Sequence, residues 1–144
     1  MSETILISAC LLGSSCRYDG KNKKMDRLED LMEHYHLIPV CPEIYGGMST
    51  PRLPSECKNG RVVSKTGEDV TEFFQKGAEE TLYLAKLYGC TKALLKGKSP
   101  SCGYREIYDG SFSGKLTAGN GLAAGMLADA GIAVYHENEI DKLL

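Results

Sequence analysis

Lys92-Ala93-Leu94-Leu95-Lys96-Gly97-Lys98-Ser99-Pro100-Ser101-Cys102-Gly103 is a short apolar run that passes directly into a rigid, polar turn. Ala93-Leu94-Leu95 reads as a buried strand, and glycine, proline, hydroxyls and a thiol follow it. The design occurs twice more. Ile5-Leu6-Ile7-Ser8-Ala9 runs into Cys10, and Leu37-Ile38-Pro39-Val40 runs into Cys41-Pro42-Glu43. In an open parallel sheet the carboxyl ends of the strands share one edge, and ligands bind in the crevice outside it. If the three runs are neighbouring parallel strands, Cys10, Cys41 and Cys102 converge there. Three thiols in one polar crevice point to metal or cluster binding, or to redox chemistry. One such cysteine alone is readily a small buried hydrophobe; three at equivalent strand ends call for a shared explanation.

Between the runs lie the connections that a parallel sheet requires. From Asp26 to about His36, Leu28, Leu31, Met32 and Tyr35 recur at helical spacing, opposite Arg27, Glu29, Asp30 and Glu33. A second helix is expected from Asp69 to Tyr88-Gly89, with Phe73, Ala78, Leu82, Ala85 and Leu87 on its apolar side. A third is expected after Asn120, which would cap it, with Leu122, Met126 and Leu127 facing inward. Ile132 to Tyr135 is a fourth strand, and Glu139 to Leu144 a short terminal helix or frayed end. Residues 41–55 carry Pro42, Pro51, Pro54 and Gly46-Gly47 and read as an irregular loop, while Asn59-Gly60 marks a small hairpin. The alternation predicts an α/β single domain over residues 1–144: about four mainly parallel strands, flanking helices in a Rossmann-like three-layer arrangement, and an inserted hairpin.

Composition narrows the class. A chain of 144 residues with 42% hydrophobic and 25% charged residues can bury one core. A net charge of -2 argues against a general nucleic-acid binder. Arg17, Lys21, Lys23 and Lys24 form a modest basic cluster that reads as a solvated loop more readily than as a binding patch. Ser2-Glu3 lacks a positive n-region and no apolar stretch is long enough to span a bilayer. The expected location is therefore cytoplasmic, with no membrane partner, and six cysteines there are expected reduced, metal-bound or catalytic.

Several side chains beside the thiols have two readings. Glu43 is either a general acid or base in the crevice or a loop carboxylate paired with Arg52. Ser99 and Ser101 either donate to an anionic sulfur or substrate, or simply close the turn. Ser111-Phe112-Ser113-Gly114 could cradle an anion. Cys57 and Cys90 read as structural, and a six-residue step could bring Cys16 near Cys10.

The motifs Ser8-Ala9-Cys10-Leu11-Leu12-Gly13, Arg17-Tyr18-Asp19-Gly20, Pro39-Val40-Cys41-Pro42-Glu43, Thr50-Pro51-Arg52, Ser99-Pro100-Ser101-Cys102-Gly103 and Tyr108-Asp109-Gly110-Ser111-Phe112-Ser113-Gly114 together resemble the domain of unknown function 523 family. Its characterised relatives are thiouracil desulfidases, which hold a 4Fe–4S cluster by three cysteines and leave the fourth iron free for substrate sulfur. The resemblance implies Cys10, Cys41 and Cys102 as the ligands, with Cys16 outside that set. It implies acid–base roles for Glu43 and Ser99. Ser101, Arg17 and Asp19 are candidates for substrate or loop support. The implied reaction is non-redox: a thiocarbonyl in a thiolated pyrimidine base, nucleoside or related thioamide becomes a carbonyl, and hydrosulfide leaves. The implied partner is that small molecule. RNA is not indicated by the net charge, and the cluster is expected to be lost from an aerobic preparation. Two other readings use the same thiols: a non-catalytic metal or cluster protein, and a persulfide or thiol-redox protein without iron.

Overall fold

A computed structural model describes residues 3–144. Its centre is a parallel sheet of four strands: β1 (Glu3–Ser8), β2 (Tyr35–Val40), β5 (Lys92–Leu95) and β8 (Ala133–His136), in the order β2-β1-β5-β8. Alternation along these strands sends side chains to two different cores. Leu6, Ala93, Leu95, Val40 and Val134 face one side, and Ile5, Ile7 and Leu94 the other. Helices α3 (Thr71–Leu87) and α4 (Leu122–Asp129) cover the first face. The second is covered by α1 (Leu28–His34), a 3-10 turn over Ala9–Leu12 and the C-terminal end of the chain, through Leu31, Leu11 and Leu143. This is the expected three-layer α/β arrangement.

Two antiparallel hairpins sit outside the sheet. β3 (Ser55–Lys58) and β4 (Arg61–Ser64) turn at Asn59-Gly60, both at positive φ (52° and 77°), as an Asn-Gly hairpin requires. β6 (Glu106–Tyr108) and β7 (Leu116–Ala118) form a second, so the region expected as a glycine-rich loop begins on a strand. Tertiary packing shifted other local expectations. The proline-rich segment contains a short helix, α2 (Pro42–Tyr45). Helix α1 stops at His34, Tyr35 opens β2, and Met32 is 64% exposed, because only Leu31 of that helix is buried. On α3 the buried side is Phe74, Gly77, Ala78, Thr81 and Ala85; Phe73 and Leu87 face solvent. Gly121 stands at the start of α4, while Asn120 Oδ1 accepts the Arg105 backbone N–H instead of capping. That helix buries Ala123, Ala124 and Leu127, and Leu122 and Met126 only in part. Residues Glu137–Lys142 form an ordered 3-10 turn.

The face of α3 changed because backbone meets backbone there. A Cβ on Gly77 would lie 1.8 Å from the Pro42 carbonyl oxygen, and one on Gly46 would lie 1.9 Å from that of Phe73. α2 therefore crosses α3 at a distance that only glycine permits. Gly77→Ala should push α2 outward and cost about 2 kcal/mol or more, with Cys41 and Glu43 displaced alongside. Gly125→Ala, whose Cβ meets nothing closer than 3.4 Å, is the neutral or slightly stabilising control. Paired thermal melts check both.

The C-terminal turn is pinned by one buried carboxylate. Glu139 Oε1 receives Arg105 Nη2 at 2.7 Å, and Oε2 receives Lys142 Nζ at 2.7 Å. The His136 backbone N–H also donates to Oε1, at 3.2 Å, and the His136 ring Nε2 lies 3.3 Å from it. Burial by itself would raise the pKa of this group, but Lys142, Arg105 and His136 outweigh it and hold the carboxyl at about 2. The unfolded group titrates near 4.5. The folded pKa is depressed, so the stabilisation is full above pH 4.5 and is lost as pH falls toward 2. The stability gap between the native protein and Glu139→Gln should shrink over that window in denaturant titrations.

Candidate active site

At the carboxyl edge of the sheet, Ser8 of β1 is in register with Val40 of β2. The chain beyond each strand then delivers a cysteine. Cys10 sits in the Ala9–Leu12 turn, Cys41 immediately precedes α2, and Cys102 follows β5 after the Lys98–Ser101 turn. All three line one cavity of ≈ 370 Å³, within the range of small-molecule sites. The cavity lies beside the β1–β5 junction, where the strand order reverses, as expected for an α/β sheet.

Cys102 is fixed from several sides. Its backbone N–H donates to Ser99 Oγ at 2.8 Å, and Ser8 Oγ donates to its sulfur at 3.3 Å. Ser8 Oγ in turn accepts the Lys96 N–H at 2.9 Å, which ties the motif to β5. The N-terminus of α4 closes on the same turn: Leu122 N–H donates to the Pro100 carbonyl (2.9 Å) and Ala124 N–H to that of Ser101 (3.0 Å). Those donors would otherwise be orphaned at a helix start. Gly103 and Gly121 permit the approach, since a Cβ on either would lie 2.6 Å from backbone of this turn.

Glu43 lies in the cavity wall and is also paired with Arg52. Arg52 Nε donates to Oε1 at 3.0 Å, and Ser101 Oγ donates to Oε2 at 2.8 Å. The guanidinium is only 5% exposed and spends its other donors on the carbonyls of Ser49 and Cys16 and on Thr50 Oγ1. Arg52 therefore aims Glu43 and anchors the loop that carries Cys16. Ser101 is the hydroxyl in direct contact with Glu43. Ser99 stands one step behind, with its Oγ 3.4 Å from that of Ser101. Arg17 lines the cavity, stacks over Tyr18 and pairs with Asp19 at 3.5 Å; Asp19 itself accepts the Lys21 N–H and stays outside the wall.

Other members of the wall were not among the expected site residues. Tyr18, Glu56, Lys65, Lys96 and Phe112 all line it. Within the Ser111-Phe112-Ser113-Gly114 stretch the Phe112 N–H (3.1 Å), joined by that of Gly110 (3.0 Å), donates to Glu56 Oε1, a side chain of the protein itself. Cys90 is buried in the core and Cys57 contacts the Pro100 carbonyl, both outside the lining. Cys16 lies inside it.

Burial pushes the Cys10 thiol up to about 12 and that of Cys102 up to about 11. The neighbouring Cys16 thiol and burial both raise Cys41, while at Cys16 the neighbouring Cys41 thiol outweighs burial, which acts the other way, and lowers the group to about 6. Among the described residues no three His, Cys, Asp or Glu side chains gather tightly enough for a single metal ion. The thiols surround a volume, not a point. A soft, polynuclear iron–sulfur group suits that donor set in both ligand type and space.

A family model described as 2-thiouracil desulfurase matches residues 5–139. An uncharacterized protein of Bacillus subtilis (strain 168), YbbK, is 41% identical over 150 residues, covering 97% of this chain and 99% of the relative. Among solved structures, the [4Fe-4S]-dependent thiouracil desulfidase TudS (DUF523Vcz) superposes with a TM-score of 0.91 at 42% identity. That match covers 99% of this chain and 95% of the TudS chain.

Proposed function

The chain belongs to the 2-thiouracil desulfurase family, and we propose from that premise that it hydrolyses the C=S bond of thiouracil or a closely related thiolated pyrimidine. The observation that carries the reading is the convergence of Cys10, Cys41 and Cys102 beside Glu43 in one cavity. These three thiolates would hold a 4Fe–4S cluster. When bound, the cluster supplies a sulfur-seeking Lewis acid with one iron that none of the three ligates.

The remaining work falls to the protein's own groups. Glu43, held on Oε1 by Arg52, has its second oxygen on Ser101. It is the base that takes a proton from the water attacking the thiocarbonyl carbon. Ser101 and Ser99 form a hydroxyl pair through which a proton can return toward the departing sulfur. The buried Arg52 keeps the carboxylate at one orientation, so the base is aimed before substrate arrives. Carbon enters and leaves at the same oxidation level, and no electron donor is consumed. The wall that holds Tyr18 and Phe112 gives a flat pyrimidine aromatic surfaces to pack on.

A free base, a nucleoside and a nucleotide remain within this class, and the protein acts in the cytoplasm. Among the described residues no helix is long and apolar enough to cross a membrane. The test is anaerobic reconstitution followed by iron and sulfide analysis and incubation with 2-thiouracil, without reductant. Uracil and hydrosulfide in equal amounts are expected. A cluster-loaded protein that leaves thiolated uracils, their nucleosides and their nucleotides untouched would overturn the reading.

A further inference from the structure

Three thiolates leave one iron of a cubane without a protein ligand, yet a fourth thiol faces the same cavity. Cys16 lies six residues beyond Cys10 and lines the wall that the other three cysteines line. Its side chain neighbours that of Cys41 in this wall. Its placement is built into the site. The Cys16 carbonyl accepts Arg52 Nη2 at 3.0 Å, Thr50 Oγ1 at 3.4 Å and the Cys41 thiol at 3.8 Å. The residue is only partly buried, so the thiol has room to turn.

We propose that Cys16 is an exchangeable fourth ligand: its thiolate caps the open iron while the cavity is empty, and the substrate's sulfur displaces it. This inference rests on the function proposed above. The exchange breaks one Fe–S(Cys16) bond and forms one bond from iron to the substrate's sulfur, and Cys16 takes up a proton from water as it leaves. No electrons move. With the backbone pinned by Arg52 and Thr50, the proposed exchange is a rotation about the Cys16 side chain and not a loop opening. Cluster sites commonly use four thiolates, and a resident fourth would shield the iron most exposed to loss. It would also set a threshold: only a ligand as soft as a thiolate could take its place.

The experiment compares cluster-loaded native protein with Cys16→Ala and Cys16→Ser, each checked for iron content and for an unchanged far-ultraviolet spectrum. Alkylation of Cys16 by iodoacetamide, read by peptide mass spectrometry, should be suppressed in loaded protein and restored by adding 2-thiouracil. Conversion to a three-iron cluster on ferricyanide treatment, followed by electron paramagnetic resonance, should be about tenfold faster in Cys16→Ala, as expected when a ligand is withdrawn. In a visible titration 2-thiouracil should bind Cys16→Ala more tightly, since nothing competes for the iron. Equal alkylation with and without the cluster would overturn the proposal. Protection from alkylation with unchanged conversion rate and unchanged 2-thiouracil affinity would overturn it as well, because shielding alone gives that result. A native protein that takes up no iron would overturn the proposed function together with this inference; one that keeps its iron but fails these comparisons would overturn this inference alone.

Discussion

Cys10→Ala, Cys41→Ala and Cys102→Ala are each expected to emerge from anaerobic reconstitution with little or no cluster and no desulfuration. The native protein should carry about four irons and four sulfides per chain. Each substitution removes one of the three strand-end thiolates and leaves its iron without a protein ligand, since Cys16 at rest caps a different iron. The size of the effect separates ligand loss from loss of packing. Cys10 and Cys102 are 7% and 5% exposed, so their truncation also removes a small buried side chain. Cys90→Ala supplies the control, because Cys90 is 6% exposed in the main core and does not line the cavity. It should lose comparable stability and keep all of its iron. Iron and sulfide analysis beside thermal melts measures both quantities on the same samples.

Glu43→Gln is expected to retain iron while kcat falls by about 10²- to 10⁴-fold, the usual loss when a positioned general base is removed. Glutamine keeps the shape and can still accept from Arg52, but it cannot take a proton from water. The change also leaves the buried Arg52 guanidinium with neutral acceptors only, so stability should fall by up to about 3 kcal/mol. Assays well below the melting range keep the two effects apart. Ser101→Ala should lower kcat less, since Glu43 loses one donor and keeps its charge. If Glu43→Gln turned over at the native rate, the cavity would be a cluster-binding site whose acid–base group lies elsewhere.

The strand ends were the legible part of this protein. Ile5-Leu6-Ile7, Leu37 to Val40 and Ala93-Leu94-Leu95 are apolar on both faces because helices cover both sides of the sheet, and so they announce themselves as runs. Asn59-Gly60 was legible for a local reason, its two positive φ angles. What the sequence hid depends on contacts between distant segments. Phe73 looked like core, yet its side chain faces solvent, because α2 lies against Gly77, a position with no apolar side chain to announce it. Asn120 has the chemistry of a cap, but the Arg105 N–H reaches it first.

The site was legible to the same extent. Each proposed ligand follows a strand, so one rule about strand ends brings all three to the cavity. Cys16 follows a turn instead, and only the fold shows that Arg52 draws its carbonyl, and with it the loop, over the cavity. Glu56 is also a matter of tertiary structure: a glutamate within a short hairpin reads as solvated until the N–H groups of Gly110 and Phe112 close on it.

The most direct test of the central claim is the fate of oxygen and sulfur in a single turnover. Cluster-loaded protein would be incubated with 2-thiouracil in oxygen-18-labelled water without any electron donor, and uracil, hydrosulfide and protein-bound sulfur would be quantified. The expected result is one labelled oxygen in each uracil, one hydrosulfide for each uracil and an unchanged cluster. Sulfur accumulating as persulfide on cysteine, or turnover only when a reductant is supplied, would contradict hydrolysis at the three strand-end thiolates.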